Sequence, residues 1–98
     1  MFHVTVDGQD KCVQFRHDYE VRHIIQKDGV AVDQRQPVKT SCSIISDDGI
    51  LGEGVAMCDP RDQFEYAVGR KRALKRALIA AGFDRKARAA VWNVFIGN

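Results

Sequence analysis

The sequence is short of the features that mark several classes of protein. No apolar run approaches the ~18 residues needed to cross a bilayer as a helix, and the start MFHVTVDG lacks the basic-then-apolar layout of a secretion signal. A cytoplasmic protein with no membrane partner is therefore expected. Cysteine is sparse and odd in number: Cys12, Cys42 and Cys58 lie far apart in strand-like runs, the pattern of reduced, buried thiols rather than a disulfide framework. His3, His17 and His23 form no His-x-x-x-His pair, and the cysteines form no Cys-x-x-Cys pair, so no metal and no cofactor is expected. There is no glycine-rich phosphate loop ending in Lys-Ser/Thr, no serine elbow and no paired-carboxylate signature, which argues against an enzyme. Cys58 draws some interest as a thiol placed at an expected helix start, although Asp59 and Asp62 oppose its activation. Repeats and low-complexity segments are missing as well.

What remains is ordinary globular material: 98 residues, 45% hydrophobic and 29% charged, enough for one modest core and one domain over 1–98. The net charge of +2 conceals an uneven distribution. Residues 1–69 carry 7 Lys/Arg against 12 Asp/Glu, whereas residues 70–98 carry 8 against 1. A molecule so divided can bind a polyanion with its basic third, or pair its two ends in a homodimer.

The first 58 residues alternate as strands do. Phe2, Val4 and Val6 share a face, Asp7-Gly8 marks a turn, and Val13 and Phe15 continue that face on the return. Residues 19–27 fit either a strand or a helix by periodicity. Asp28-Gly29 followed by Val30 and Val32 favours a hairpin. Gln36-Pro37 is expected to break the chain. Val38, Thr40, Cys42 and Ile44 then share one strand face, Asp47-Asp48-Gly49 turns, and Leu51, Val55 and Met57 share another if Gly52 and Gly54 introduce no bulge.

Helical signals take over at Asp59. Asp59 is a candidate N-cap, Pro60 suits the first helical position, and Asp62 complements the dipole; Gly82 supplies the left-handed stop, with Phe83 folding back. Phe64, Ala67, Val68, Leu74, Leu78 and Ala81 form the expected core stripe of this helix. Gly69 falls inside it at a cost of about 1 kcal/mol relative to Ala, and marks a close crossing or, alternatively, a hinge. Asp84 begins a second helix with Ala87, Val91, Val94 and Phe95 inward and Trp92 beside Arg85 and Arg88. The expected fold is α+β: an antiparallel sheet of four to six strands over 2–58, covered by helices over 60–81 and 85–96.

The candidate binding residues are Arg70, Lys71, Arg72, Lys75 and Arg76 on the first helix, extended by Arg85, Lys86 and Arg88 on the second. Cations at i, i+3 and i+4 can follow a phosphate backbone. Like charges so placed repel, and cations at a helix start oppose the dipole, so helix stability does not account for them. The other readings are an acidic protein partner or a solvated face. Trp92, off the core stripe, is an interface candidate or the closing residue of the core edge.

The run Gly52, Gly54, Ala56, Cys58, Pro60, Asp62, Phe64, followed by Gly69, Arg70, Lys71, Ala73, Leu74, Arg76, Ala77 and Leu78, resembles small proteins encoded by bacteriophages and prophages among genes of unassigned function. The likeness spans about a third of the chain. It implies a phage origin, action inside an infected bacterial host, and the class of host-defence inhibitors that includes anti-CRISPR proteins. A fainter likeness is to the double-stranded RNA-binding domain, which also ends in a glycine-bearing strand and a lysine-rich helix; here the basic cluster lies inside the helix and the fold's first helix has no counterpart. The expectation is thus a non-enzymatic protein whose basic helical surface engages nucleic acid or a nucleoprotein complex. Docking on an acidic protein surface without nucleic acid is the alternative.

Overall fold

A computed structural model describes residues 1–58 and 65–97. Four strands, β1 (Phe2–Val6), β2 (Gln9–Ile25), β3 (Ala31–Ser46) and β4 (Gly49–Met57), form an antiparallel meander in the order β1-β2-β3-β4, followed by α1 (Tyr66–Ala80) and α2 (Arg85–Gly97). The arrangement is α+β, with four strands. Asp7 and Gly8, at φ 53° and 77°, make the two-residue turn whose twist matches that of its strands. Residues 19–25 are strand, running antiparallel to 31–37.

Pro37 does not break the chain. It lies within β3, opposite Tyr19, where the β2–β3 register shifts. β4 pairs with β3 only as far as Lys39–Met57, with the Cys58 amide donating to the Val38 carbonyl just beyond. Among the described residues the outer edge of β3 has no ladder partner at Pro37, where a missing N–H is tolerated.

The core lies between the sheet and the helices. Val4, Val6, Val13, Cys42 and Ile44 supply the sheet's inner face; Leu74, Leu78 and Val91 descend from the helices. Burying each large aliphatic contributes about 1.5–3 kcal/mol. The outer face of the sheet carries Gln14, Arg16, Lys39, Ser41, Ser43 and Glu53 and stays open, as an antiparallel sheet with a polar side can.

The first helix begins later than its sequence signals imply. Glu65 is extended, at φ −121° and ψ 119°, and makes no side-chain cap, so a helix cannot run through it from residue 60. Tyr66 is the first helical residue, held edge-on to His17 with ring centroids 4.7 Å apart and bonded through its hydroxyl to Tyr19 at 2.9 Å. Tertiary anchoring at Tyr66 thus sets the start. Asp59, Pro60, Asp62 and Phe64 lie outside the described residues. Cys58 consequently does not sit at the N-terminus of α1, and Gly69 falls in its first turn rather than mid-helix.

The buried stripe of α1 is also rotated from the expected one. Gly69, Ala73, Leu74, Ala77 and Leu78 are buried, whereas Ala67 and Val68 are exposed. The reason is the facing strand. A register shift at Ile44/Ile45 leaves Leu51 unpaired, after which Gly52, Gly54 and Ala56 point inward and Leu51, Val55 and Met57 outward. Those inward residues let α1 approach closely: a Cβ on Gly52 would lie 2.5 Å from the Ala81 nitrogen, and one on Gly54 would collide with the Ala73 carbonyl and the Ala77 amide. Small residues meet small residues, and the larger Leu74 and Leu78 take the flank.

The helix ends read as expected. Gly82, at φ 73°, donates to the Ile79 carbonyl at 3.0 Å, and the Phe83 amide donates to Leu78 at 3.2 Å, which is the paired closure of a Schellman motif. Asp84 caps α2 by accepting from the Ala87 amide at 2.8 Å.

Candidate functional site

Two close packing contacts decide where the cations point. With Ala73 and Ala77 turned onto β4, the solvent ridge of α1 carries Val68, Arg72, Lys75 and Ile79, and Lys71 lies exposed at its flank. The Asp84 cap then starts α2 so that Arg85 and Arg88 face α1 across a groove. Lys75, Leu78, Ile79, Arg85, Arg88, Ala89 and Trp92 line that groove, a cavity of about 430 Å³. Its floor is apolar and its rim cationic. Lys86 is exposed on α2 outside the groove lining.

Two of the expected cations go elsewhere. Arg76 reaches back over the sheet, its guanidinium donating to the Val55 carbonyl on the outer edge of β4. There it covers part of a strand edge that has no partner strand among the described residues, a common protection against further strand pairing. Arg70 is half-buried and borders a different hollow with Phe2, Phe15, His17 and Phe95. His17 Nδ1 lies 2.9 Å from Thr40 Oγ1, and its pKa is lowered, first by loss of solvent and then by the positive Arg70. Arg70 therefore acts at the joint between α1 and the sheet. Periodicity alone assigned both arginines to the basic cluster, and the carbonyl of an edge strand and the pocket over His17 carry no local signal.

Trp92 is half-buried, perpendicular to Phe95 with centroids 5.6 Å apart, and it lines the groove beside Arg85 and Arg88. One side of the indole closes the aromatic cluster of Phe2, Phe15 and Phe95, as the core-edge reading expects, and another borders the groove. Among the described residues, no carboxylate pairs with any of the eight candidate cations; the ion pairs present are His3–Asp10, Arg16–Asp18, His23–Asp33 and Lys39–Asp18. Exposed pairs of that kind contribute little to stability. Among the described residues the helical cations therefore have no ion-pair partner, although Asp84, the cap of α2, stands next to Arg85 in the chain.

The three cysteines are thiols, with Cys42 fully buried between sheet and helix and its pKa pushed up to about 12 by that burial. Such a thiol is unreactive near neutrality. Among the described residues no helix is long and apolar enough to cross a membrane. The chain matches no family model, no curated protein and no solved structure.

Proposed function

We propose that the surface formed by α1 and α2 binds nucleic acid or a nucleoprotein complex, without catalysis, and that the protein is a phage-type inhibitor of a host defence system acting in the cytoplasm of an infected bacterium. One observation carries the binding part: Lys75 from α1 and Arg85 and Arg88 from α2 converge on one groove with no acidic partner among the described residues. Uncompensated convergence across two helices is costly unless an anion completes it. The phage and defence part rests on the resemblance of the Gly52–Leu78 run alone.

The apolar floor of the groove favours a second reading, docking on an acidic protein surface. Capture from a bacterial lysate, split into nuclease-treated and untreated halves at low and moderate salt, separates the two. The Lys75→Glu/Arg88→Glu variant should lose capture while its melting curve holds, because both side chains are exposed. Capture that depends on nucleic acid and falls steeply with salt supports the first reading. A single protein complex retained after nuclease supports the second, and intact capture by the variant sinks both. Pairing of the acidic and basic parts in a homodimer would use the same cations, and sedimentation at two salt concentrations detects it.

A further inference from the structure

We infer that the α1–α2 groove is a single-strand site, in which an unpaired nucleobase lies against Trp92 while Lys75, Arg85 and Arg88 hold the flanking phosphates. The inference rests on the nucleic-acid reading above and specifies its ligand.

A double helix offers phosphates outside and keeps its bases stacked inside, so an apolar groove between cations gives it nothing to bind. A single strand offers both chemistries at once: a charged backbone, and flat apolar bases looking for a surface. The groove matches that combination. Leu78 and Ile79 form one wall, Ala89 leaves the approach to the indole unobstructed, and the half-buried Trp92 is braced by Phe95, which limits the freedom lost on binding. Two of the three rim cations are arginines, whose planar fork suits phosphate oxygens and can also lie on a base. Arg72 and Lys71 continue the positive track along α1 beyond the groove, which suits an extended polyanion better than one acidic side chain. The other aromatic hollow, at Met1, Phe2, Phe15, His17 and Phe95, has Arg70 as its one Lys or Arg side chain and lacks this track.

Trp92 is the only tryptophan, so its fluorescence reports directly on the site. The intact protein should be titrated with a mixed-sequence single-stranded oligonucleotide, an abasic strand of equal length, the matching duplex, and a poly-glutamate peptide. The single strand should quench the indole and bind about tenfold more tightly than the abasic strand, the size expected for one stacked base. Ala89→Glu places a carboxylate in the groove at an exposed helical position, and should remove quenching and at least tenfold in single-strand affinity while the melting curve is kept. Trp92→Leu, which keeps apolar bulk without the aromatic face, should erase the difference between normal and abasic strands. If duplex, abasic and single strands bind alike and Ala89→Glu changes nothing, the single-strand site is wrong although the basic surface still binds nucleic acid. If no nucleic acid binds, both readings fall. Quenching by poly-glutamate alone also overturns the inference and makes the groove an acidic-peptide site.

Discussion

Gly54 shows how much a single missing side chain determines. Its inward position on β4 brings the backbone of α1 against the backbone of the sheet, and the atoms a methyl group would strike are the Ala73 carbonyl and the Ala77 amide, neither of which can rotate away. Gly54→Ala should therefore destabilise the fold by about 3 kcal/mol, at the upper end for overpacking. Val55→Ala, one residue along on the outward face and 40% exposed, should cost under about 1 kcal/mol. Urea unfolding of the two variants checks this; comparable destabilisation would show that the close crossing is not what limits the packing. The same position explains a misreading of the helix. Counting large apolar side chains centres the stripe of α1 on Leu74 and Leu78 and brings in Val68. The expected stripe takes in Ala67 and Ala81 but passes over Ala73 and Ala77, whose backbone is what Gly54 meets. The glycines were visible in the sequence, but their effect became legible only with the partner element in place.

At the scale of elements, helix ends and turns were legible wherever the chemistry is local. Asp7-Gly8, Gly82 with Phe83, and Asp84 all act through atoms within a few residues, and each occupies its expected role. Pro37 and the start of α1 were not legible, because each depends on something distant: where β4 stops pairing, and where Tyr66 meets His17 and Tyr19. The two helices accordingly differ at their N-termini. Asp84→Ala should remove the bond to the Ala87 amide and cost about 1 kcal/mol. Glu65 is exposed, extended and without a capping bond, so Glu65→Asp, with its shorter side chain, should gain up to about 1 kcal/mol. Thermal melts resolve both, since 1 kcal/mol moves the midpoint of a domain this size by about 4–8 °C. A fall in midpoint for Glu65→Asp would mean that Glu65 contributes by another route. The candidate site divides in the same way. Its eight cations could be enumerated from the sequence, but only the packing of α1 on β4 and the start of α2 at Asp84 separate those at the groove from Arg70 and Arg76.

Across the whole molecule, shape and charge are both lopsided. The principal extents are 60 × 23 × 21 Å, because β2 and β3 continue as a two-stranded arm well past the part of the sheet that the helices cover. From Tyr19 to Ala31 every residue of this arm is exposed, and Val21, Ile25 and Val30 contribute nothing to the core. The arm is tied down at its base by the Tyr19–Tyr66 hydroxyl pair and the Val38–Cys58 backbone bond. A two-stranded ribbon alone is marginal in water, so the arm depends on the core while the core has little need of the arm. Replacing residues 19–38 with Asn-Gly would join Asp18 to Lys39, a pair already in register, through the kind of two-residue turn that Asp7-Gly8 makes at the other end of β2. The shortened protein should fold, with its midpoint lowered by no more than about 10 °C, because among the described residues the arm meets the core at its base alone, through these two hydrogen bonds and the half-buried stretch 36–38. It should also retain the groove proposed to bind nucleic acid, whose lining residues lie on α1 and α2. Failure to fold would show that the arm stabilises the core through more than its base. Loss of nucleic-acid capture with a normal melt would instead assign the arm a share of the binding surface, joining the two ends of the molecule in one function.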